Sequence, residues 1–413
     1  MTEPARELLA RCLGAALAAV DGRRVVAGAL ARIALPPGCP VLAVGKAAPA
    51  MVAGAMGRLG EGAGAALCIS APGAARPGEP GPGELRVLTG DHPVPGAASL
   101  AAGSALLEFL DDLPPDLPLL CLWSGGSSAL VEVLPNGLGP ADLARANRWL
   151  LASGLPIAAI NRVRAGLSCL KAGRLARRLA GRRVLVLAIS DVPGDDPAVI
   201  GSGPWTVSPP VEGGGLPAGL PDWLVAMLAS AEAAPLPGAP RLADVDYRIV
   251  ASGRLALAAV APTARTAGVE VTVHRAPLQG PVEAATGDIL AALDSGAAGL
   301  HAWSGETTVR LPAEPGEGGR NSHLALTLAC RLAGREDGLV LCAATDGSDG
   351  AGGAAGGWAD GDVVARGAAL GLDAQEALAQ ADSGRFLAAT GDALVTGPTG
   401  TNVMDLVLAL RTR

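Results

Sequence analysis

The chain has 413 residues, half of them hydrophobic, and a formal net charge of −7. At about 150 residues per domain, that length predicts two or three domains, each large enough to bury a core. Lys and Arg do not cluster along the chain and aromatic residues are few, so a nucleic acid is not an expected partner. The sequence also lacks an uninterrupted apolar run of about 18 residues, which a membrane-spanning helix needs.

The first twenty residues predict an amphipathic helix rather than a signal peptide. Leu9, Leu13, Leu17 and Val20 recur at helical spacing, with charged residues among them. The seven Cys are scattered and form no C-x-x-C pair, which is typical of reduced thiols in a cytosol. These features predict a soluble, cytoplasmic protein.

Apolar segments alternate with helical segments through the first half of the chain. Strands are predicted at 41–44, 85–88, 117–123 and 184–189, and helices at 49–59, 100–112, 140–152 and 157–180. The strands show no polar alternation, which is typical of parallel sheets covered by helices on both faces.

A segment rich in Pro, Gly and Ala at 207–243 separates the two halves. We place the domain boundary near residue 240, which predicts one α/β domain at 1–240 and a second at 241–413. The second half repeats the pattern, with strands predicted at 247–251, 269–274, 300–304, 307–311 and 339–343, and helices at 255–267, 280–294 and 321–333. The expected fold class is α/β with mainly parallel sheets.

Polar loops follow several predicted strands, at the edge of a parallel sheet where ligands bind. The loop Ser124-Gly125-Gly126-Ser127-Ser128 follows a buried strand, and its glycines allow backbone N–H groups to surround an anion. Taken alone, that pattern is more often a flexible turn. Asp191, Asp195 and Asp196 follow the next strand, where carboxylates either hold Mg²⁺, take a proton from a hydroxyl, or form a solvated turn.

The second half has comparable loops rich in Gly, Thr and Asp. They lie at 305–308, 316–321, 345–350 and 396–402. Four such loops at the ends of elements predict one wall of a cleft that binds a polyphosphate.

Lysine is rare in this chain, because 30 of its 32 basic residues are Arg and only Lys46 and Lys171 are Lys. An ammonium is a compact point charge that fits against phosphate oxygens, whereas a guanidinium is a wide fork. Both lysines are therefore candidate functional residues, the alternative being chance. Arg164, Lys171 and Arg174 share one face of a predicted helix, which is either a substrate site or a solvated basic surface.

Ten short segments occur in the order found in a known family. They are Val44–Ala48, Gly90–Pro95, Ser124–Ala129, Asn161–Arg164, Ser190–Asp195, Ser202–Pro204, Gly305–Thr308, Gly318–Asn321, Thr345–Gly347 and Thr399–Asn402. Together they resemble the glycerate 2-kinase family, of the type whose C-terminal half is called the MOFRL domain. Ser127, Ala172, Ser322 and His323 depart from the usual residues of that family.

The resemblance implies two Rossmann-like domains with the active site in the cleft between them. It implies ATP and Mg²⁺ as cofactors, and D-glycerate converted to 2-phosphoglycerate. It also implies that Lys46 and Arg320 are the basic pair that stabilises the transferring phosphoryl group.

On this basis each candidate residue has an expected role. ATP is expected at Ser124, Gly125, Gly126, Ser127, Ser128, Thr345, Gly397, Thr399 and Asn402, and the substrate at Asn161, Arg164 and Lys171. Asp191 is the expected base, and Asp191 and Asp346 are the expected Mg²⁺ ligands.

Two other functions compete with this hypothesis. An NAD(P)H-dependent hydroxypyruvate reductase is expected to carry G-x-G-x-x-G after an early strand, and the Gly45-Lys46-Ala47-Ala48 turn does not fit that pattern. A non-catalytic sensor of a sugar acid would need neither the basic pair nor the acidic loops.

Overall fold

The computed structural model describes residues 3–74, 84–155, 157–206, 216–232, 242–295 and 298–412. Its helices are α1 (Glu3–Ala19), α2 (Gly22–Leu30), α3 (Ala48–Leu59), α4 (Ala97–Asp111), α5 (Ser127–Leu130), α6 (Pro140–Ala152), α7 (Ile157–Gly166), α8 (Arg174–Arg178), α9 (Asp222–Glu232), α10 (Gly253–Thr266), α11 (Val282–Asp294), α12 (Arg320–Leu332), α13 (Val363–Ala369), α14 (Ala374–Ala379) and α15 (Ser383–Thr390). Its strands are β1 (Cys39–Val44), β2 (Ala63–Ser70), β3 (Leu85–Thr89), β4 (Leu119–Trp123), β5 (Arg183–Ile189), β6 (Asp244–Ala251), β7 (Val271–Val273), β8 (Leu278–Pro281), β9 (Gly299–Thr308), β10 (Gly338–Ala344), β11 (Gly356–Ala359), β12 (Ala393–Leu394) and β13 (Asp405–Arg411).

The chain folds into two compact units. One comprises Gly22–Val250, and the other combines Met1–Asp21 with Ala251–Arg413. We call them the N-terminal and the C-terminal unit. The boundary predicted at residue 240 lies outside the described residues, and the first 21 residues belong to the C-terminal unit, which sequence periodicity alone does not reveal. Among the described helices, none is long and apolar enough to cross a membrane.

The sheet of the N-terminal unit has the strand order β3-β2-β1-β4-β5-β6. The pairs β3–β2, β2–β1, β1–β4 and β4–β5 are parallel, as predicted from the apolar runs. Every residue of β1 and β4 is buried, because helices cover both faces. The order is that of a Rossmann fold, and it reverses direction between β1 and β4.

The helix predicted over 157–180 is interrupted. α7 ends at Gly166, and α8 begins only at Arg174. Gly173 takes the left-handed conformation (φ +77°), as does Ala172 (φ +53°), so a continuous helix is not possible here. The prediction that Arg164, Lys171 and Arg174 share a helical face is therefore wrong, because Lys171 lies in the turn between the two helices.

The sheet of the C-terminal unit has the order β12-β11-β10-β13-β9-β7, and β8 also pairs with β9. The β12–β11, β11–β10, β10–β13 and β13–β9 pairs are antiparallel, whereas β7 and β8 run parallel to β9. The prediction of mainly parallel sheets is therefore wrong for this unit. A strand covered on both faces is apolar in either direction, so its sequence does not reveal its orientation.

Helix α1 docks on the C-terminal unit through a buried cluster of charges. Arg6 donates to Asp360 (Nη2–Oδ2 2.8 Å) and to Asp392 (Nη2–Oδ1 2.6 Å), and Arg366 donates to the same two carboxylates. Both aspartates are nearly inaccessible to solvent. Burial acts to raise the pKa of Asp360, but the hydrogen bond from Arg6 and the charge of Arg366 hold it below its ordinary value.

We expect Arg6→Ala to lower the free energy of unfolding by about 1–3 kcal/mol, because it leaves two buried carboxylates with a single arginine. Urea denaturation measures the change. Arg11→Ala on the same helix is the control, since its pair with Glu7 is exposed and such pairs contribute about 0.3–0.5 kcal/mol. Equal effects of the two substitutions would contradict the anchoring role of Arg6.

Candidate active site

Two loops meet where the order of the N-terminal sheet reverses. Lys46 is the second residue after β1, and Ser124 directly follows the neighbouring strand β4. The backbone N–H of Lys46 donates to the carbonyl oxygen of Gly125 (2.9 Å), and the N–H of Ala47 donates to Oγ of Ser124 (3.1 Å). The structure thus brings together Lys46 and the serine–glycine loop, which are separate motifs in the sequence.

Glycine is required in both loops because their backbones approach other atoms closely. A Cβ on Gly45 would lie 2.1 Å from Oγ of Ser124. Gly126 has φ +82°, and its Cβ would lie 3.1 Å from Cγ of Lys46 and 3.3 Å from Cδ2 of His92. Lys46 and His92 therefore flank the exposed face of Gly126.

The five loop residues are not equally available to a ligand. Ser124 and Ser127 are buried, and the hydroxyl of Ser124 is used to hold the turn after β1. Gly126 and Ser128 are only half-buried. Because α5 is a single helical turn, its dipole adds little to anion binding. The loop therefore offers backbone groups and Ser128 rather than a row of serine hydroxyls.

The segment Gly90–Pro95 is held in place by Asp91. Oδ2 of Asp91 accepts from the N–H groups of Ala98 (2.8 Å) and Ser99 (3.2 Å), at the start of α4. This contact satisfies donors that a helix start leaves without partners. Asp91 therefore fixes the loop that carries His92 against Gly126.

A pocket opens beside the serine–glycine loop, which we call the polar pocket. Its polar lining is Ser128, Glu132, Asn147, Arg164 and Lys171. Its apolar lining includes Leu143 and Leu150 of α6 and Leu167, which directly follows α7. Two predicted substrate residues, Arg164 and Lys171, and one predicted ATP residue, Ser128, are thus brought together within the N-terminal unit.

Lys171 forms a buried ion pair with Glu132, and their side chains are only 4% and 3% exposed. Glu132 also accepts from Oγ of Ser168 (2.6 Å) and from the N–H of Val133 (3.0 Å). The alternative interpretation, in which Lys171 belongs to a solvated basic surface, is therefore wrong.

The turn around Lys171 is tied to another motif of the sequence. Ala172 donates to the carbonyl oxygen of Ser202 (3.0 Å), and Gly173 donates to that of Gly203 (2.7 Å). The hydroxyl of Ser202 in turn lies 2.9 Å from that of Ser128. Two of the ten matching segments, together with the turn around Lys171, therefore form one hydrogen-bonded assembly around the polar pocket.

Arg164 is oriented by a buried amide. Its Nε donates to Oδ1 of Asn147 (3.0 Å), and Nδ2 of Asn147 donates to the carbonyl oxygen of Leu143 (3.0 Å). Burial lowers the pKa of Arg164, and the charge of Glu132 opposes that effect. Asn161 lies on the same helix as Arg164, three residues earlier, and does not line the polar pocket.

Asp191 lies just beyond β5, which is the neighbour of β4. It therefore belongs to the same edge of the sheet as Lys46 and Ser124. Tyr247 of β6 lies near this loop, and burial together with the charges of Asp191 and Asp196 raises the pKa of its hydroxyl.

In the C-terminal unit, Arg320 starts α12 and is held by carboxylates. It donates to Asp405 through Nε and through Nη2 (3.0 Å to Oδ1), and its Nη1 lies 2.6 Å from Oε1 of Glu306. Burial acts to lower the pKa of Arg320, but the hydrogen bonds and charge of Asp405 raise it overall. Burial raises the pKa of Asp405 to about 6, against the hydrogen bond and charge of Arg320.

The start of α12 is capped from a distant loop. Oδ1 of Asp349 accepts from the N–H of Asn321 (2.9 Å), and Oδ2 accepts from the N–H (2.7 Å) and the hydroxyl of Ser322. A buried carboxylate at a helix start satisfies its donors and complements its dipole. Ser322, a departure from the family pattern, thus serves to bind Asp349.

The loops after β10 and before β13 are joined by threonines. Oγ1 of Thr345 accepts from the N–H of Val403 (2.8 Å) and donates to the carbonyl oxygen of Met404. Oγ1 of Thr399 donates to the carbonyl oxygen of Thr345, and Asn402 is buried in the same loop. Thr345, Thr399 and Asn402 are thus brought together, and Gly397 (φ +67°) turns the chain just before them.

Asp346 lies beside Thr345, is half-buried, and accepts from the N–H of Ser348 (3.0 Å). Within the described residues, the structure contains no group of three or more His, Cys, Asp or Glu side chains able to hold a metal ion. A metal at Asp346 would therefore depend on oxygen atoms of its substrate, as Mg²⁺ in phosphoryl-transfer sites usually does.

Sequence reasoning missed the residues that orient the candidate cations, namely Glu132, Asn147, Glu306, Asp349 and Asp405. Glu132 does leave a signal, because it is an acidic residue inside the apolar run Leu130–Leu134. Asn147 and Asp405 lie in a helix and at the start of a strand that offer no motif by themselves.

These features define a class of protein: an α/β enzyme with a Rossmann-ordered sheet, glycine turns at its switch point and basic side chains held by buried carboxylates. Residues 8–212 match a family described as a domain of unknown function (DUF4147), and residues 300–405 match the MOFRL family. The chain belongs to the glycerate 2-kinase family.

Similarity to individual proteins extends over most of the chain. The D-glycerate 2-kinase of Thermotoga maritima is 34% identical over 90% of this chain and 90% of its own length. Human glycerate kinase is 33% identical over 78% of this chain and 72% of its own. A protein of Agrobacterium vitis with a provisional hydroxypyruvate reductase name is 35% identical over 97% of this chain and 93% of its own.

The crystal structure of the Thermotoga maritima glycerate kinase matches the whole chain with a TM-score of 0.84 and 30% identity, covering 100% of both chains. A Pyrococcus horikoshii protein matches with a TM-score of 0.73 and 27% identity, covering 100% of this chain and 99% of its own.

We expect Gly126→Ala to lower kcat at least about tenfold, because its Cβ would displace Lys46 and His92 in addition to the left-handed strain of about 1 kcal/mol. The control is Gly137→Ala, which has φ +91° but faces open space. Steady-state kinetics beside thermal melts separate the two effects. A similar loss of kcat in both variants would show that backbone strain alone is responsible.

We expect catalytic activity to fall as the pH decreases through about 6, where Asp405 takes up a proton and Arg320 loses one of its two charged partners. Because the folded pKa lies above the ordinary 3.8, the protonated carboxyl contributes stability below pH 3.8 that is lost as the pH rises through about 6. Asp405→Asn should lower activity and remove this acid limb from the pH–rate profile. Asp294→Asn, which changes an exposed carboxylate, should retain it; an unchanged limb in Asp405→Asn would contradict the assignment.

Proposed function

We propose that the protein is an ATP-dependent glycerate 2-kinase, which transfers the γ-phosphoryl group of ATP to the 2-hydroxyl of D-glycerate to give 2-phosphoglycerate and ADP. The observation that carries the proposal is the meeting of Lys46 and the serine–glycine loop at the switch point, directly beside the polar pocket. Ligands of open α/β sheets bind at such a point. Family membership supports the same reaction class.

In the N-terminal unit, Lys46 is proposed to neutralise the charge of the transferring phosphoryl group. Its ammonium belongs to a side chain that packs on Gly126, so the backbone of the serine–glycine loop (Ser124, Gly125, Gly126, Ser127 and Ser128) holds phosphate oxygens beside it. Phosphoryl transfer depends on such positioning and charge neutralisation rather than on covalent help from the protein.

The substrate carboxylate is proposed to bind Arg164 and Lys171 in the polar pocket. Asn161, on the same helix as Arg164, is proposed to contact the substrate as well. Asp191 is proposed to receive the proton. The oxygen of the 2-hydroxyl forms a bond with the γ-phosphorus, the bond between that phosphorus and ADP breaks, and the hydroxyl proton passes to the carboxylate of Asp191.

In the C-terminal unit, Arg320 is proposed to be the second cation that serves the phosphoryl group, and Thr345, Gly397, Thr399 and Asn402 to hold the nucleotide. Asp346 would hold Mg²⁺, because a carboxylate is the oxygen ligand that this ion prefers. Bound Mg²⁺ neutralises charge on the phosphate oxygens. Asp405 and Glu306 keep Arg320 in one orientation, so less ordering is needed when ATP binds.

The reductase alternative fits the observed turn less well. A dinucleotide-binding turn uses glycines so that its backbone can approach the pyrophosphate, whereas the residues after Gly45 here are Lys46, Ala47 and Ala48. A Lys at this position suits a phosphoryl group better than a nicotinamide. The sensor alternative gives no reason for Arg320 to be held by two carboxylates.

An assay of ADP release with D-glycerate, ATP and Mg²⁺ tests the proposal, with enolase added to detect the product. We expect enolase to turn over, because it acts on 2-phosphoglycerate and not on the 3-phosphate. We further expect Lys46→Ala to lower kcat by about 100-fold or more, in the range found when one stabilising donor is removed.

Arg58→Ala is the control for Lys46→Ala, since Arg58 is exposed on the helix that follows Lys46. ATP with Mg²⁺ should still raise the melting temperature of the Lys46 variant. Release of ADP at a rate within a few-fold of the unsubstituted enzyme would contradict the role of Lys46. Reduction of hydroxypyruvate with NADH or NADPH, without ADP release, would overturn the proposed function.

A further inference from the structure

The polar pocket contains three charged side chains whose charges do not cancel. Arg164 and Lys171 are positive and Glu132 is negative, so the pocket has a surplus of one positive charge. Glu132 and Lys171 are both more than nine-tenths buried, so water screens their charges little. The net positive charge of the pocket therefore acts on any ligand that enters it.

Glu132 is fixed rigidly. Its Oε1 accepts from the hydroxyl of Ser168 and the N–H of Val133, and its Oε2 accepts from Lys171. These contacts come from the adjacent residue and from the turn between α7 and α8, and they use both oxygens of the carboxylate, so its orientation is fixed before a ligand binds. It also acts electrostatically on Arg164, the other cation of the pocket.

Arg164 is fixed as well, through Asn147. The amide of Asn147 is 1% exposed, and it uses its oxygen for Arg164 and its nitrogen for the carbonyl oxygen of Leu143. The contact uses only Nε, so it does not engage the two terminal nitrogens of Arg164, which is a lining residue of the pocket. That arrangement suits a carboxylate bound by a forked pair of hydrogen bonds.

We propose that Glu132 is a specificity-determining residue that restricts the polar pocket to hydroxy acids with a single negative charge, and that Asn147 positions Arg164 for the carboxylate. The inference rests on the proposed function for the identity of the pocket as the acceptor site. One carboxylate on the ligand neutralises the surplus charge. A second one would face Glu132 without a partner in a region of low dielectric, which is unfavourable.

The matched probes are D-glycerate and hydroxymalonate. Hydroxymalonate has nearly the same size but carries a second carboxylate in place of the hydroxymethyl group. Isothermal titration calorimetry on the full chain measures both affinities. ADP and Mg²⁺ are present in place of ATP and Mg²⁺, so that no phosphoryl group can be transferred during the titration. We expect the unsubstituted protein to bind hydroxymalonate at least tenfold more weakly than glycerate.

Glu132→Gln keeps the shape and the acceptor oxygen but removes the negative charge. We expect the ratio of the glycerate to the hydroxymalonate dissociation constant to rise at least tenfold. The double variant Glu132→Gln with Lys171→Gln restores a surplus of one positive charge, and its ratio should return towards the original value. Glu108→Gln is the control, because it changes the net charge of the unit equally at an exposed position.

Asn147→Ala tests the positioning role. We expect the KM for glycerate to rise several-fold with little change in kcat, because the guanidinium loses its anchor while the phosphoryl site is unaffected. A fall in kcat with an unchanged KM would assign Asn147 to the stability of the fold instead.

The outcomes separate the two proposals. If glycerate binds with the expected selectivity but is not phosphorylated, the proposed function fails, whereas the proposed role of Glu132 in charge selectivity is retained. If the unsubstituted protein binds hydroxymalonate as tightly as glycerate, or if neither acid binds, the inference is overturned, and this measurement does not depend on whether any variant folds. An unchanged ratio in a folded Glu132→Gln variant also overturns it.

Discussion

The candidate site of the N-terminal unit depends on the parallel pairing of β1 with β4. The sheet reverses its order between these two strands, so the chain leaves them in loops that lie side by side. Lys46 and the serine–glycine loop meet for that reason, although nearly eighty residues separate them in sequence (46 and 124). Gly45 makes the close approach possible, because a Cβ there would collide with Ser124, and a Cβ on Gly126 would press against the side chains of Lys46 and His92.

Buried carboxylates hold three cations of this protein in place. Asp405 orients Arg320, Glu132 pairs with Lys171, and Asp360 with Asp392 secures Arg6. Burying charge is costly unless each ion has well-placed partners, and these carboxylates each accept more than one hydrogen bond. The gain is orientation: a cation already held in position does not have to be ordered when an anionic ligand arrives, which is how electrostatic catalysis works best.

Several residues of the ten matching segments use their side chains to hold the loops together. Asp91 caps α4, Ser124 holds the turn of Lys46, and Thr345 joins the loop after β10 to the segment just before β13. Asp349 caps α12, the helix that begins at Arg320. A motif that is specific for a family can thus contain residues that support the loops of the site as well as residues that bind a ligand.

The sequence by itself determined the α/β class, the parallel sheet of the N-terminal unit, the loops at its strand ends and the family, because apolar runs and glycine-rich turns are local patterns. It did not determine that the C-terminal sheet is mainly antiparallel, since an apolar strand is the same in both directions. The break between α7 and α8, the partnership of Lys171 with Glu132 and the docking of α1 on the C-terminal unit were decided by tertiary structure alone. Each depends on contacts between residues far apart in the chain, such as Arg6 with Asp392, whose energies exceed the local preferences that periodicity reports.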